Sequence, residues 1–430
     1  MDFDHVHFQV DNVEYWRKWF ADTLKFQFQN ALSSESGRSS TVEMTTRGGV
    51  KIRLSSLPSS NSLALPRKTQ SNKRPNLRAT RCPGVKDVAF RVARLNQAIA
   101  QVLDAGGTLV HPVRSLSTSS GTQNQATVLG WGGLHHTLIE SDDFSSTNTS
   151  PEQMPRTQAL SQAKLQQEVL FSELECSDLK YSTRSYASSA VEPHSRTKTT
   201  APSSTLLRPQ HLEIPTAQTP LISAIDHVVL NVPVGEIEPA VAWYEKAFGM
   251  ERQQRFSIQT NRSALHSQVL KHPEGNVQFP INEPASPHSQ IQEFLDAYGG
   301  AGIQHIALRT ENILEAIAHM RDQGVLFLDV PPTYYDQIQK RNEFSSGLEN
   351  FEAIARLKIL VDWPTHNPDA LLLQTFTQPL FGQPTFFFEV IQRQLYDTPQ
   401  GQQHVQGFGE GNFQALFEAV EREQMRRGQL

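Results

Sequence analysis

A chain of 430 residues with 38% apolar content exceeds what one hydrophobic core usually organises, so two domains plus connecting material are expected. The formal net charge of -5 gives no general electrostatic reason to approach nucleic acid or an anionic membrane surface. No stretch has the roughly eighteen uninterrupted apolar residues of a membrane span, and the acidic start MDFDHVHF lacks the order of a secretory signal, so a cytoplasmic location is expected. The two cysteines, Cys82 and Cys176, lie far apart and argue neither a disulfide framework nor a thiolate metal site.

From Phe3, FDHVHFQVDNVEYWRKWFADTLKFQF reads as an alternating strand followed by a helix carrying tryptophans. A Ser-rich piece, SSLPSSNSLALPRKTQSNKR, predicts a long loop. From Gly84, GVKDVAFRVARLNQAIAQVLDAGGTLV predicts strand, helix, turn and strand, and GLHHTLIE closes the first half. The first half is assigned to residues 1–144. Residues 145–220 are rich in Ser, Thr, Gln and Pro and read as a mobile linker, with EVLFSELECSDLKYS as a strand or docking segment within it.

The second half, 221–430, repeats the first. IDHVVLNVPVGEIEPAVAWYEKAFGMERQQRF from Ile225 matches the segment at Phe3, and GIQHIALRTENILEAIAHMRDQGVLFL from Gly302 matches the segment at Gly84. Internal duplication is the simplest account. Ile313, Ala316, Ile317 and Met320 fall at helical spacing after a strand of period two, which gives repeated β-α-β-β units and an α+β fold. Each unit exposes one apolar sheet face, and pairing two units closes a cup that side chains can line.

Three residues of the second half could meet in that cup: His227 in the opening strand, His305 in GIQHIAL and Glu389 in PTFFFEVIQ. Singly, each is more simply a packed or paired residue. Together, two imidazoles and a carboxylate suit iron(II) and leave coordination positions open, although zinc or manganese accepts similar ligands. Burying Glu389 unpaired in an apolar strand is costly, and coordination compensates for it. Period-two geometry puts Phe387 on the same face as Glu389, and Gln374 with Phe376 on one face of LLLQTF.

Through IDHVV, PINEPA, SQIQEF, YGGAGIQHIAL, FLDVPPTYYD, LLLQTF, PTFFFEVIQR and GFGEGNF, residues 224–428 resemble the 4-hydroxyphenylpyruvate dioxygenases, while the first half resembles them more loosely. The resemblance implies the vicinal oxygen chelate fold, with duplicated β-α-β-β-β modules forming two open sheet barrels and a structural first half. It implies an Fe(2+) cofactor held by His227, His305 and Glu389. The activity implied is oxidative decarboxylation and ring hydroxylation of 4-hydroxyphenylpyruvate with O2, giving homogentisate and CO2, for tyrosine degradation or quinone and tocopherol supply. It further implies that Ser267, Asn282, Gln290, Gln304 and Gln374 orient the substrate. Gln304 carries less weight, because alternation points it away from the face of His305. Phe376, Phe387, Phe408 and Phe413 are the implied pocket walls. The segment GNFQALFEAVEREQMRRG, with Phe413, Leu416, Phe417 and Val420 on one helical face, reads either as a lid or as a docked terminal helix; the resemblance favours the lid.

In the first half the matching positions are His5, Asp87 and Glu140, with His135 and His136 beside them; Asp87 in place of a histidine argues against a second metal. The rival readings are a 4-hydroxymandelate synthase, which oxygenates the benzylic carbon, and a non-catalytic binding protein of the same fold. Extradiol dioxygenases and glyoxalase-like enzymes share the fold but have no reason to carry the PINEP, SQIQEF and GFGEGNF strings. The partners expected are the small-molecule substrates, with homo-oligomers allowed.

Overall fold

A computed structural model describes residues 1–33, 40–58, 82–118, 121–140, 219–260, 262–340, 350–363, 370–398 and 401–428. All but the first four residues of the expected Ser-rich loop, and all but the last two of the 145–220 linker, lie outside the described residues, as do Cys176 and the docking segment.

The first half runs β1 (Asp2–Val10), α1 (Val13–Leu24), β2 (Gln27–Ser33), β3 (Ser40–Thr45), β4 (Lys51–Ser56), β5 (Gly84–Val92), α2 (Leu95–Asp104), β6 (Thr108–Thr118), β7 (Gly121–Leu129) and β8 (His135–Glu140). The second runs β9 (Ala224–Asn231), α3 (Ile237–Phe248), β10 (Glu251–Gln259), β11 (Ala264–Lys271), β12 (Gln278–Pro284), α4 (Gln290–Tyr298), β13 (Gly302–Arg309), α5 (Ile313–Asp322), α6 (Pro332–Lys340), α7 (Phe351–Leu357), β14 (Leu360–Asp362), β15 (Leu372–Phe376) and β16 (Phe387–Arg393). A hairpin of β17 (Leu395–Thr398) and β18 (Gly401–His404) then leads to α8 (Glu410–Arg426).

Strand order demonstrates the duplication. The first sheet is β2-β3-β4-β1-β5-β8-β7-β6, the second β10-β11-β12-β9-β13-β16-β15-β14, so adding eight to each strand of one gives the other. Each sheet is itself two β-α-β-β-β modules joined where β1 meets β5, or β9 meets β13, antiparallel.

The helices follow from caps and spacing. Asn12 accepts the Tyr15 N–H at the start of α1, which buries Trp16, Phe20 and Leu24 at successive turns. Likewise Asn312 accepts from Glu315 N, and α5 buries Ile313, Ala316, Ile317 and Met320, the face expected from sequence.

The halves pack through the convex sides of their sheets. Phe8 and Phe20 meet Phe386 and Phe388 at ring-centroid distances of 5.2–6.2 Å, and Trp16 lies edge-on to Phe381 at 4.8 Å. On the other side of the seam, His136 donates from Nδ1 to Val88 O and shares a hydrogen bond between Nε2 and Tyr244 Oη, at 2.9 Å each, and stacks on Phe90. His136 is therefore a seam residue. Period two then sends the alternate residues Phe387 and Glu389 to the concave face.

Candidate metal centre

Seven adjacent strands of the second sheet, from β10 to β15, contribute residues to one pocket of about 410 Å³, open to solvent, so the sheet curls around it. Its lining holds His227, His305 and Glu389 with Ser267, Asn282, Gln374, Phe376, Phe408 and Phe413, together with Phe256 and Leu416.

At its floor, β9, β13 and β16 bring His227, His305 and Glu389 together, all buried, with one ligand atom from each within 4.8 Å of the others. Glu389 Oε2 lies 3.2 Å from His227 Nε2 and 3.6 Å from His305 Nε2. Its other oxygen accepts a hydrogen bond from Gln374 Nε2 at 2.8 Å. One carboxylate oxygen is thus tethered while the other converges with the two imidazoles. Burial tends to lower the His227 imidazole, but the Glu389 and Asp226 carboxylates overcome it and hold it up at about 9. Among the described residues His305 has no partner at its Nδ1; burial and the nearby His227 push it well below the usual histidine range. Two buried imidazole nitrogens and one buried carboxylate oxygen converging on one point fit a divalent transition metal.

Polar groups mark one wall. Ser267 and Asn282 pair across β11 and β12, and Asn282 Nδ2 reaches Asn231 Oδ1 at 3.3 Å. Asn282 Oδ1 is buried with no hydrogen-bond partner among the described residues, so an acceptor faces the pocket unused. Aromatic rings line the rest: Phe408 lies 5.0 Å from the His227 ring, and Phe256, the partner of Ser267 on β10, lies edge-on to Phe413 at 5.4 Å.

Three expected pocket residues sit elsewhere. Gln290, Gln304 and Phe387 line a neighbouring cavity of about 380 Å³ with Val420 and Arg427. Phe387 forms the partition, its ring stacked on His305 at 4.9 Å. Gln304, the residue skipped where the pairing of β13 with β9 shifts between Ile303 and His305, lines this second space with Phe387.

Sequence reasoning passed over Asp226, Arg393 and Asn412. Asp226 accepts from His227 Nδ1 at 3.0 Å and from Arg393 at 2.8 Å through both oxygens. Asn412, at the start of α8, donates to Gln374 Oε1 at 2.7 Å and so reaches Glu389 through one amide. The Asp-His dipeptide occurs in both repeats, at Asp4–His5 and Asp226–His227, and was a legible signal for Asp226. Nothing local distinguishes Asn412, because only folding brings α8 against β15. A side chain at Gly409 would meet Gln374 Oε1 at 2.7 Å, and its φ of +66° suits glycine, which explains that residue of GFGEGNF.

The first cup keeps the plan without the centre. His5 and Asp87 occupy the positions of His227 and His305, but the register of β5 against β8 puts Thr137, not Glu140, opposite Ala89 where Glu389 stands opposite Ala307. Glu140 instead matches Gln392: it accepts from Leu95 N at the start of α2, as Gln392 does from Ile313 N at the start of α5. Asp87 is satisfied by Thr137, through its backbone N at 2.9 Å and its hydroxyl. Glu43 and Arg53, paired at 2.7 Å, fill the places of Val269 and Pro280. Among the described residues, the second-half triad is the single His/Cys/Asp/Glu group compact enough for a metal.

Residues 224–340 match the model of the Glyoxalase/Bleomycin resistance protein/Dioxygenase superfamily. Over its whole length the chain is 31% identical to a 4-hydroxyphenylpyruvate dioxygenase of Caenorhabditis elegans, covering 93% of that protein. It is 32% identical to one of Coccidioides posadasii (strain C735), covering 94%. The chain belongs to the 4-hydroxyphenylpyruvate dioxygenase family. Membership makes it an oxidoreductase of the dioxygenase type. The fold agrees: a mutant of 4-hydroxymandelate synthase from Streptomyces coelicolor superposes with a TM-score of 0.66 over 98% of both chains at 20% identity.

Proposed function

We propose that the chain binds Fe(2+) through His227, His305 and Glu389 and converts 4-hydroxyphenylpyruvate and O2 into homogentisate and CO2. The observation that carries this reading is a buried set of two imidazoles and one carboxylate opening on a Phe-walled cavity. Bound iron would supply open positions where a 2-oxo acid chelates and dioxygen is activated.

The chain's own residues do the positioning. Gln374 holds one oxygen of Glu389 aside, leaving Oε2 to ligate. Ser267 and Asn282 offer hydrogen bonds to the polar groups of the substrate, and the idle Asn282 Oδ1 accepts one without displacing an existing partner. Phe376, Phe408 and Phe413 pack the aromatic ring and exclude water. Gln290 and Gln304, beyond the Phe387 partition, act on the substrate if that ring turns aside and the two cavities join. Helix α8 serves as the lid, since Phe413 and Leu416 form part of the cavity wall.

The organisation proposed is a structural domain over 1–144, a connecting segment over 145–220 and a catalytic domain over 221–430, in the cytoplasm. Among the described residues no helix is long and apolar enough to cross a membrane. The test is to load the protein with iron anaerobically, admit O2 with 4-hydroxyphenylpyruvate, and identify the aromatic product. Homogentisate supports the reading. Hydroxymandelate moves the chain to benzylic oxygenation, and no oxygen uptake removes the proposal.

A further inference from the structure

Asp226 is out of step with its own strand. Pairing of β9 with β13 runs from His227 opposite Ala307 to Ile225 opposite Leu308, so Asp226 is the extra residue of a β-bulge. Successive side chains on a regular strand point to opposite faces and do not meet; a bulge re-aims one of them. Here it lets the Asp226 carboxylate reach the ring of the next residue, His227, at 3.0 Å. The bulge recurs at Asp4 in the first cup, where Asp4 contacts His5 Nδ1 at 2.8 Å.

The two cups differ in what holds the aspartate. In the second, Arg393 donates through Nε and Nη2 to both Asp226 oxygens at 2.8 Å, and Arg309 adds bonds at 2.7 and 3.1 Å. The remaining nitrogen of Arg393, Nη1, donates to the carbonyls of Val405 at 3.1 Å and Gly407 at 2.7 Å. Those carbonyls immediately precede Phe408, whose ring contacts His227. In the first cup Lys51 stands near Asp4 at 3.4 Å, and the sequence position matching Arg393 is Ser141.

We infer that Asp226 and Arg393 are positioning residues: Asp226 fixes the His227 ring with Nε2 toward the metal, and Arg393 couples that setting to the seating of Phe408 and the start of α8. This inference rests on the reading of His227 as a metal ligand. A ligating imidazole that donates its other N–H to a carboxylate has its tautomer and orientation fixed, and losing such a partner typically costs about 10- to 100-fold in metal affinity. Asp226 has that geometry. An asparagine can instead donate to Nδ1 and leave the hydrogen on Nε2, the tautomer that cannot ligate.

The probe is Co(II), added anaerobically to metal-free full-length protein and followed by its visible absorption, with hydrogen exchange of 405–413 measured before and after loading. Asp226→Asn is expected to weaken Co(II) about 10- to 100-fold and to abolish any protection of 405–413 on loading. Because Asp226→Asn alone leaves a buried arginine uncompensated, Asp226→Asn with Arg393→Met is the second variant; it is expected to bind Co(II) equally weakly. Either folded variant binding Co(II) as the wild type does overturns the positioning role. Wild-type exchange across 405–413 that ignores Co(II) overturns the coupling. Failure of the reading beneath is distinguishable: there the wild type itself, or His227→Ala as tightly as the wild type, gives the wrong Co(II) result before Asp226 is touched.

Discussion

His227, His305 and Glu389 have no substitute near them among the described residues. Alanine at any one of the three is therefore expected to lower iron affinity by more than the roughly 100-fold upper cost of losing an outer-shell partner, and turnover with it. Metal analysis after dialysis at fixed free iron measures this, and full occupancy in His305→Ala would remove the assignment. His5→Ala is the control. It lies in the first cup and should keep iron and turnover, at a stability cost of about 1–2 kcal/mol typical of a lost buried contact. Gln374→Leu tests the tether on Glu389: with Oε1 free and Asn412 deprived of its acceptor, iron affinity should drop about 10-fold or more. Unchanged affinity would mean that Glu389 is held well enough by its strand.

At the scale of elements, α8 carries two duties that periodicity alone could not separate. Phe413 and Leu416 face the cavity, whereas Phe417 is fully buried against Ile291, Phe294, Leu295 and Tyr298. Removing 408–430 should keep iron, because the triad lies upstream, yet it also strips a core phenylalanine, for which truncation typically costs about 3–5 kcal/mol. Phe413→Ala is the milder variant. It opens the wall and leaves Phe417 in place. For both proteins, folded by circular dichroism, oxygen consumption is expected to exceed homogentisate formation, since a loosened ring and admitted water divert the reaction. Measuring the two in one vessel decides the matter: one homogentisate per oxygen in a folded truncation would leave α8 as packing alone.

Across the whole molecule, the seam between the halves contains a titratable group that the chemistry does not use. Burial pushes His136 down to about 4, against the smaller opposing pull of the Val88 carbonyl. The folded value lies below the unfolded one, near 6.5. Between those values the unfolded chain binds a proton that the folded chain refuses, so this contribution is fully present above about pH 6.5 and is lost as the pH falls toward 4. The span corresponds to about 3 kcal/mol. Urea unfolding at pH 7 and pH 5 is expected to show a smaller pH-dependent loss in His136→Gln than in the wild type. Equal losses would place the sensitivity in other histidines held below their ordinary range, such as the half-buried His7, which desolvation lowers to about 3.

What the sequence determined by itself was whatever repeats or alternates. The duplication, the α+β modules, the apolar face of α5 and the convergence of His227, His305 and Glu389 all follow from period two, period three-and-a-half and matching strings. Tertiary structure decided what depends on register and on distant chain. A three-residue difference along β8 separates Glu140, a helix cap, from Thr137, the true counterpart of Glu389. A bulge defeats alternation at Asp226 and brings it to its neighbour's ring. Asn412 reaches Glu389 only because α8 folds back onto β15, and the Phe387 ring puts Gln290 and Gln304 in a separate cavity. Local patterns specify which face a residue takes, but pairing between strands far apart in sequence sets which residues on that face finally meet.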